Sequence, residues 1–87
     1  MPQMEVNLVD QAGRSIRVRL PDDVPVGELS SAIRRRLNLP DNDERGRLQL
    51  VLHHKASGRE LNPDRSLGQE KVGDGDVLRL RMEAVAG

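Results

Sequence analysis

The chain has 87 residues and no cysteine, so it is long enough for one small domain that folds without disulfides and cannot use thiol chemistry. Fourteen basic residues balance fourteen acidic ones, so the chain has no net positive charge to attract nucleic acid. Phe, Tyr and Trp are absent, so no aromatic ring is available for base stacking. No run approaches the roughly 20 apolar residues that cross a bilayer, and no signal-peptide pattern is present; we expect a soluble, cytoplasmic protein.

The first two predicted elements are strands joined by a tight turn. Apolar and polar residues alternate over residues 5–8 and again over 16–20, which is typical of strands with one buried face. Between them the sequence Asp-Gln-Ala-Gly at 10–13 ends on a glycine that can adopt positive φ. The sequence therefore predicts an N-terminal β-hairpin.

A helix is predicted next, from Val26 to Leu37, because apolar residues recur there at the spacing of one helical face. Three arginines, at 34–36, occupy its last turn, where the helix dipole favours cations. We interpret them as a solvated helix end rather than a phosphate site. Asn38 is placed to end the helix in the left-handed conformation.

The rest of the chain predicts strands separated by turns. Residues 40–46 are polar and predict a loop, 48–52 a third strand, and 59–61 a short fourth strand. Ser66 is positioned to cap a short helical turn, and the turn at 73–76 leads into a last strand. The order ββαββ, short helical turn, β predicts an α+β roll with one main helix packed across a mixed sheet.

One hydrophobic core is expected between the sheet and the helix. Its predicted members are Val6, Leu8, Ile16, Val18, Leu20, Leu29, Ile33, Leu50, Leu61, Leu67, Val72, Leu78 and Leu80.

The last strand is predicted to end in a small-residue tail. Apolar residues alternate with Arg79 and Arg81 as far as Met82, and nothing after Met82 is bulky enough to anchor the chain. We therefore expect residues 1–82 to form the domain and residues 83–87 to form a flexible tail. A glycine at the end of such a tail lets an enzyme approach its carboxylate closely.

Three conspicuous groups are expected to be structural. His53 and His54 are neighbours on a strand and point to opposite faces, and no cysteine or third histidine completes a metal site, so we expect surface histidines and no metal. The Gly-Asp-Gly-Asp run at 73–76 predicts a plain turn. A calcium loop of the EF-hand type would need a later acidic residue at the position that Ala84 occupies here. No nucleophile accompanies the acid pair at 22–23, so we expect no catalytic residue, no cofactor and no enzyme activity.

A family resemblance rests on the turns. The run Ser-Gly-Arg-Glu-Leu-Asn-Pro-Asp-Arg-Ser-Leu at 57–67 resembles the ubiquitin stretch in which a Gly-basic-polar-Leu turn leads to a basic-hydroxyl-Leu step. From Gly13 to Pro40 and from Gly58 to Gly87 the chain can be laid on ubiquitin without a gap. The resemblance implies the ubiquitin-like β-grasp fold.

A closer resemblance is to the bacterial ubiquitin-like proteins of the YukD/EsaB type. It lies in residues 20–29 and 62–67, together with 73–78. It implies a bacterial source.

The chain also departs from ubiquitin. Ala86 precedes Gly87 where ubiquitin has paired glycines, and Glu83 and Val85 replace its two tail arginines. An activating enzyme would therefore need a different tail groove. Gln11 and Arg81 stand at two positions of ubiquitin's apolar receptor patch, so binding to eukaryotic receptors is not expected.

The resemblance implies three functions. In the favoured one, a partner adenylating enzyme activates the Gly87 carboxylate, and a carrier enzyme joins it to target proteins by an isopeptide or similar bond. A deconjugating protease is a possible further partner. The alternatives are a non-covalent YukD/EsaB-like accessory or scaffold protein related to type VII secretion and a β-grasp sulfur carrier, which Ala86 disfavours.

Site residues follow from the favoured function. Gly87 is the conjugation site, Arg79 and Arg81 are expected to dock the domain on a partner, and the chain is expected to be a monomer when free, with no nucleic-acid or membrane partner. The residues expected to lie in the enzyme's groove are Glu83, Ala84, Val85 and Ala86.

Overall fold

The computed structural model describes residues 2–85 of the chain. Seven elements follow one another within them: β1 (Gln3–Val9), β2 (Ser15–Pro21), α1 (Val26–Arg36), β3 (Asn42–Asp43), β4 (Gly46–His54), β5 (Arg59–Glu60) and β6 (Val77–Ala84). This is the predicted α+β arrangement, with the short β3 added inside the segment that we expected to be a loop. Among the described residues, no helix has the length and apolar character that crossing a membrane requires.

The strands form a mixed sheet in the order β2-β1-β6-β4-β3, and β5 pairs with the C-terminal end of β4. β1 and β6 run parallel at the centre of the sheet, and the other pairs are antiparallel. α1 covers one face and buries Val26, Leu29 and Ile33 against it. We call the opposite face of the sheet the outer face.

The core lies between α1 and the sheet. Every residue predicted for it is buried except Ile16. The buried apolar residues that the prediction omitted are Met4, Val26, Leu48 and Leu52.

The prediction for Ile16 is wrong, because its side chain is 41% exposed. It lies directly opposite the buried Leu8 in the hairpin and shares the inward face of β2 with Val18. However, α1 ends at Arg36, and Ile16 and Leu37 line an open cavity instead of packing closely. Burial at this end of the hairpin therefore depends on where the helix ends.

Both ends of α1 are satisfied by specific backbone hydrogen bonds. At its start, the amides of Val26 and Gly27 donate to carbonyls of the 62–71 segment at 2.8 and 2.9 Å, which pairs groups that a helix cannot pair internally. At its end, Asn38 has φ 59°, which confirms the predicted left-handed cap. The Leu39 amide then donates to the Arg34 carbonyl at 2.9 Å, completing a Schellman motif.

The segment that caps α1 is itself capped. The backbone N–H of Gln69 donates to Ser66 Oγ at 3.2 Å, and the backbone N–H of Ser66 donates to Gln69 Oε1 at 2.9 Å. This reciprocal pair is a capping box, and it confirms the predicted role of Ser66.

The last strand is longer than predicted. It continues past Met82 through Ala84, which lies opposite Leu48 of β4, and the Val85 amide donates to the Arg47 carbonyl at 2.9 Å. Backbone pairing holds this segment although its side chains are small. Ala86 and Gly87 lie outside the described residues.

Candidate functional site

Strand alternation places the two predicted docking arginines on the outer face. Leu78 and Leu80 point into the core, so Arg79 and Arg81 project from the opposite side of β6, where both are exposed. Arg79 is flanked by Val9 of the parallel neighbour β1 and by His53 of the antiparallel neighbour β4. We call Val9, His53 and Arg79 the outer-face strip.

The two arginines differ in what they contact. Arg81 Nη2 lies 2.8 Å from Glu83 Oε2 and 3.7 Å from Glu60 Oε1. Within residues 2–85, no carboxylate oxygen lies within 4.0 Å of the Arg79 guanidinium. Arg79 therefore presents an uncompensated positive charge, whereas that of Arg81 is shared with two carboxylates.

A shallow hollow of about 520 Å³ adjoins the outer-face strip and is also lined by the hairpin turn. Asp10 lies in that turn. Its carboxylate accepts hydrogen bonds from the backbone N–H groups of Ala12 and Arg14 at 3.0 and 2.9 Å. The hydrogen bond from the Arg14 amide is the main reason why the pKa of Asp10 lies below its ordinary value. Since Arg14 Nε also lies 3.1 Å from this carboxylate, Asp10 is occupied within its own turn.

The strip places charged and apolar groups side by side. It combines one unpaired guanidinium, a half-buried imidazole and a half-buried aliphatic side chain on a rigid sheet. Such a surface suits an acidic patch on another protein, because a guanidinium binds carboxylates in a fixed planar geometry.

The other predicted site residues are only partly described. Glu83 lies opposite Gln49 and pairs with Arg81, and Ala84 and Val85 are held along β4 by backbone pairing. The structure therefore places them at the C-terminal end of the central strand β6, beside the N-terminal part of β4. The predicted conjugation site, Gly87, and its neighbour Ala86 lie outside the described residues.

The expectation of two surface histidines is wrong for His54, which is 4% exposed. Its Nε2 lies 2.8 Å from Asp76 Oδ2, and its Nδ1 lies 3.0 Å from Ser57 Oγ. The alternation along β4 predicts this burial, because Leu50, Leu52 and His54 share the inward face of the strand. In the described part of the chain, no three His, Cys, Asp or Glu side chains are grouped to hold a metal ion.

Asp76, predicted only as part of the turn at 73–76, is a further polar residue that contacts His54. Its Oδ2 also accepts the Gly73 amide at 2.9 Å. That hydrogen bond, followed by the one from His54, holds the pKa of Asp76 below its ordinary value. The 73–76 segment is thus a turn that is tied to β4 by a buried side chain.

Comparison with known proteins agrees with this architecture. The family model described as "WXG100 protein secretion system (Wss), protein YukD" matches residues 5–80. No curated protein matches.

Solved structures of similar fold include the ubiquitin-like domain of EccD5 from Mycobacterium xenopi, with 24% identity, coverage of 99% of this chain and 100% of that one, and a TM-score of 0.76. The ubiquitin of Caldiarchaeum subterraneum has 24% identity, the same coverages and a TM-score of 0.72. A protein designed de novo on the basis of ubiquitin has 21% identity, coverages of 97% and 93% and a TM-score of 0.72. These likenesses confirm the ubiquitin-like β-grasp fold.

Proposed function

The chain belongs to the YukD family of the WXG100 protein secretion system, and on that premise we propose that it is a non-catalytic accessory protein of such a system. It binds its partner non-covalently through the outer-face strip. The partner offers an acidic surface, so the interaction is between folded proteins and needs no chemistry at the C-terminus.

One observation carries this proposal. No carboxylate oxygen of residues 2–85 lies within 4.0 Å of the outer-face Arg79 guanidinium, and Arg79 lies between Val9 and His53 at the centre of the sheet. A partner carboxylate placed there pairs with a guanidinium that breaks no ion pair within residues 2–85 to bind it. Electrostatic complementarity of this kind gives specificity and a faster association rate.

A covalent protein modifier is the second candidate, favoured by the small, uncharged residues from Ala84 to Gly87. It requires a free carboxylate on Gly87, together with adenylating and carrier enzymes. If such an enzyme grips the chain from Glu83 onward, Glu83 and Ala84 must leave β4, and the hydrogen bond between Val85 and Arg47 must break. The accessory function has no such cost.

Truncation separates the two candidates. The gene is deleted in the source organism, and secretion of WXG100 proteins is measured after complementation with the parent chain or with a chain that ends at Val85. Because the truncation leaves the described strand pairing intact, the accessory function predicts that both chains restore secretion. The modifier would be supported instead by two results together. The truncated chain melts at the parent temperature but fails to restore secretion, and the strain complemented with the parent chain carries Gly87-containing remnants on other proteins.

A further inference from the structure

A serine, a histidine and an aspartate meet at the end of the sheet where β4 leads into the turn at 55–58. His54 Nδ1 lies 3.0 Å from Ser57 Oγ, and His54 Nε2 lies 2.8 Å from Asp76 Oδ2. A hydroxyl within hydrogen-bond distance of a base, with the base oriented by a third group, is the arrangement that activates a serine for group transfer.

The three side chains differ in exposure in the way that such a reaction requires. Ser57 is exposed, so a reagent in solution can reach its hydroxyl, whereas His54 is 4% exposed. In the neutral imidazole the hydrogen sits on Nε2, because the Asp76 carboxylate only accepts, and Nδ1 is then the basic nitrogen that faces Ser57. Asp76 Oδ2 also accepts the backbone N–H of Gly73 at 2.9 Å, which fixes the carboxylate.

Cations flank the serine in the sequence. Lys55 and Arg59 lie two positions before and two positions after Ser57, and both are exposed. Arg59 Nη2 lies 3.9 Å from Glu70 Oε2, and no carboxylate oxygen of residues 2–85 lies within 4.0 Å of the Lys55 ammonium. The turn therefore favours a group that carries negative charge, and a phosphoryl group brings between one and two such charges.

We propose that Ser57 is an activated nucleophile that accepts a phosphoryl group from a donor with a good leaving group. Ser57 Oγ attacks phosphorus, the Oγ–P bond forms, and the bond from phosphorus to the leaving group breaks and leaves its electron pair on that group. The hydroxyl proton passes to His54 Nδ1, and the Asp76 carboxylate at 2.8 Å stabilises the resulting imidazolium. Because Ser57 is consumed, the chain is an acceptor in this reaction and not an enzyme.

Ser15 provides a control within the same molecule. It is an exposed serine on the hairpin, whereas Ser57 is the serine within residues 2–85 whose hydroxyl lies within hydrogen-bond distance of an imidazole. Trypsin cleaves after Lys and Arg, so it releases residues 56–59, in which Ser57 is the only serine, and residues 15–17, in which Ser15 is the only serine. Mass spectrometry can therefore follow both serines in one reaction.

The test incubates the full chain at neutral pH with diisopropyl fluorophosphate, which transfers a diisopropylphosphoryl group and releases fluoride. We expect Ser57 to be labelled at least about 100-fold faster than Ser15, because a positioned base contributes a factor of that order. His54→Gln removes the base and should lower the rate at Ser57 about 100-fold. Unfolding the parent in urea should make the two rates equal, and this comparison needs no variant, so it applies even if His54→Gln does not fold.

Asp76 is a positioning residue, and Asp76→Asn tests that role. The amide oxygen can still accept the Gly73 N–H, but the amide NH₂ can donate to His54 Nε2 and so allow the ring hydrogen to move to Nδ1. The nitrogen NMR shifts of the His54 ring report which nitrogen carries the hydrogen. We expect it on Nε2 in the parent and on Nδ1 in Asp76→Asn, with a matching loss of labelling at Ser57. Unchanged labelling with the hydrogen on Nδ1 would contradict the assignment of Nδ1 as the base.

Three further results would overturn the proposal. They are equal rates of labelling at Ser57 and Ser15 in the folded parent, an unchanged rate at Ser57 in a folded His54→Gln variant, and acetylation of Ser57 by p-nitrophenyl acetate in a chain that the fluorophosphate does not label. The last result would assign an acyl acceptor instead. None of these measurements involves Arg79 or a partner protein, so this proposal and the accessory function fail separately.

Discussion

The imidazole Nε2 of His54 lies 2.8 Å from Oδ2 of Asp76 and joins the end of β4 to the turn before β6. Because a carboxylate accepts, Nε2 carries the hydrogen in this pair, and Nδ1 lies within hydrogen-bond distance of the Ser57 hydroxyl, at 3.0 Å. The buried ring therefore has both nitrogens satisfied. This cluster fixes the two loops at one end of the sheet relative to each other.

Removing the carboxylate should destabilise the protein. Asp76→Ala leaves His54 Nε2 and the Gly73 amide without their acceptor, and an unsatisfied buried donor costs about 1–3 kcal/mol. The free energy of unfolding from urea titration at pH 7 measures this loss. The exposed Asp64 provides a matched control, because Asp64→Ala should change the free energy by less than about 0.5 kcal/mol. Equal effects of the two substitutions would contradict the role of Asp76.

The same pair predicts a dependence on pH. The pKa of Asp76 is lowered in the folded protein, first by the Gly73 amide and then by His54, so it lies below the unfolded value of about 3.9. A group of this kind stabilises the fold above its unfolded pKa, and that contribution is lost as the pH falls through the folded pKa. The stability difference between the parent and Asp76→Ala should therefore shrink below about pH 4. A difference that is unchanged down to about pH 2 would contradict this assignment.

Two isoleucines test the description of the core. Ile33 is 4% exposed between α1 and the sheet, whereas Ile16 is 41% exposed beside the open cavity that it lines with Leu37. Ile33→Ala should cost about 2–5 kcal/mol of unfolding free energy, because it leaves a cavity. Ile16→Ala makes the same chemical change and should cost less than about 1 kcal/mol. Equal losses in urea titrations would mean that the cavity beside Ile16 is closed in solution.

A buried glutamate supports the segment that caps α1. Glu70 Oε1 accepts a hydrogen bond from the backbone N–H of Asn62 at 2.6 Å. The other carboxylate oxygen, Oε2, lies 3.8 Å from Arg65 Nε and 3.9 Å from Arg59 Nη2. Glu70→Ala should cost about 1–3 kcal/mol in thermal or urea unfolding, because the amide loses its acceptor. Glu70→Gln keeps an acceptor oxygen and should cost less. A glutamine variant as unstable as the alanine variant would assign the stabilisation to the arginines instead.

The sequence predicts those parts of the fold that depend on local patterns. The hairpin and α1 follow from periodicity, and the Asn38 cap follows from the conformational preference of one residue. The exposure of Ile16 depends on where α1 ends relative to the hairpin. The length of β6 depends on backbone pairing of Ala84 and Val85 with β4. Both depend on tertiary geometry that periodicity does not encode.

The candidate site also combines features that the sequence predicts with features that it does not. Alternation along β6 predicts that Arg79 and Arg81 face away from the core. It does not predict the second carboxylate beside Arg81, because Glu60 reaches it from β5, 21 positions earlier in the sequence. His54 is the opposite case, since the period of β4 already places it inward. Its acceptor Asp76 is 22 positions away and is brought close only by the fold.

Charge reversal at Arg79 tests the central claim most directly. Arg47 provides the matched control, because it lies on the outer face of β4 six positions from His53, about 20 Å along the strand. Secretion of WXG100 proteins is measured in the deletion strain complemented with Arg79→Glu or Arg47→Glu, after both purified variants are shown to melt at the parent temperature. A like charge facing an acidic partner costs several kcal/mol, so Arg79→Glu should reduce secretion at least about tenfold while Arg47→Glu restores it. Full secretion with Arg79→Glu would contradict docking through the outer-face strip.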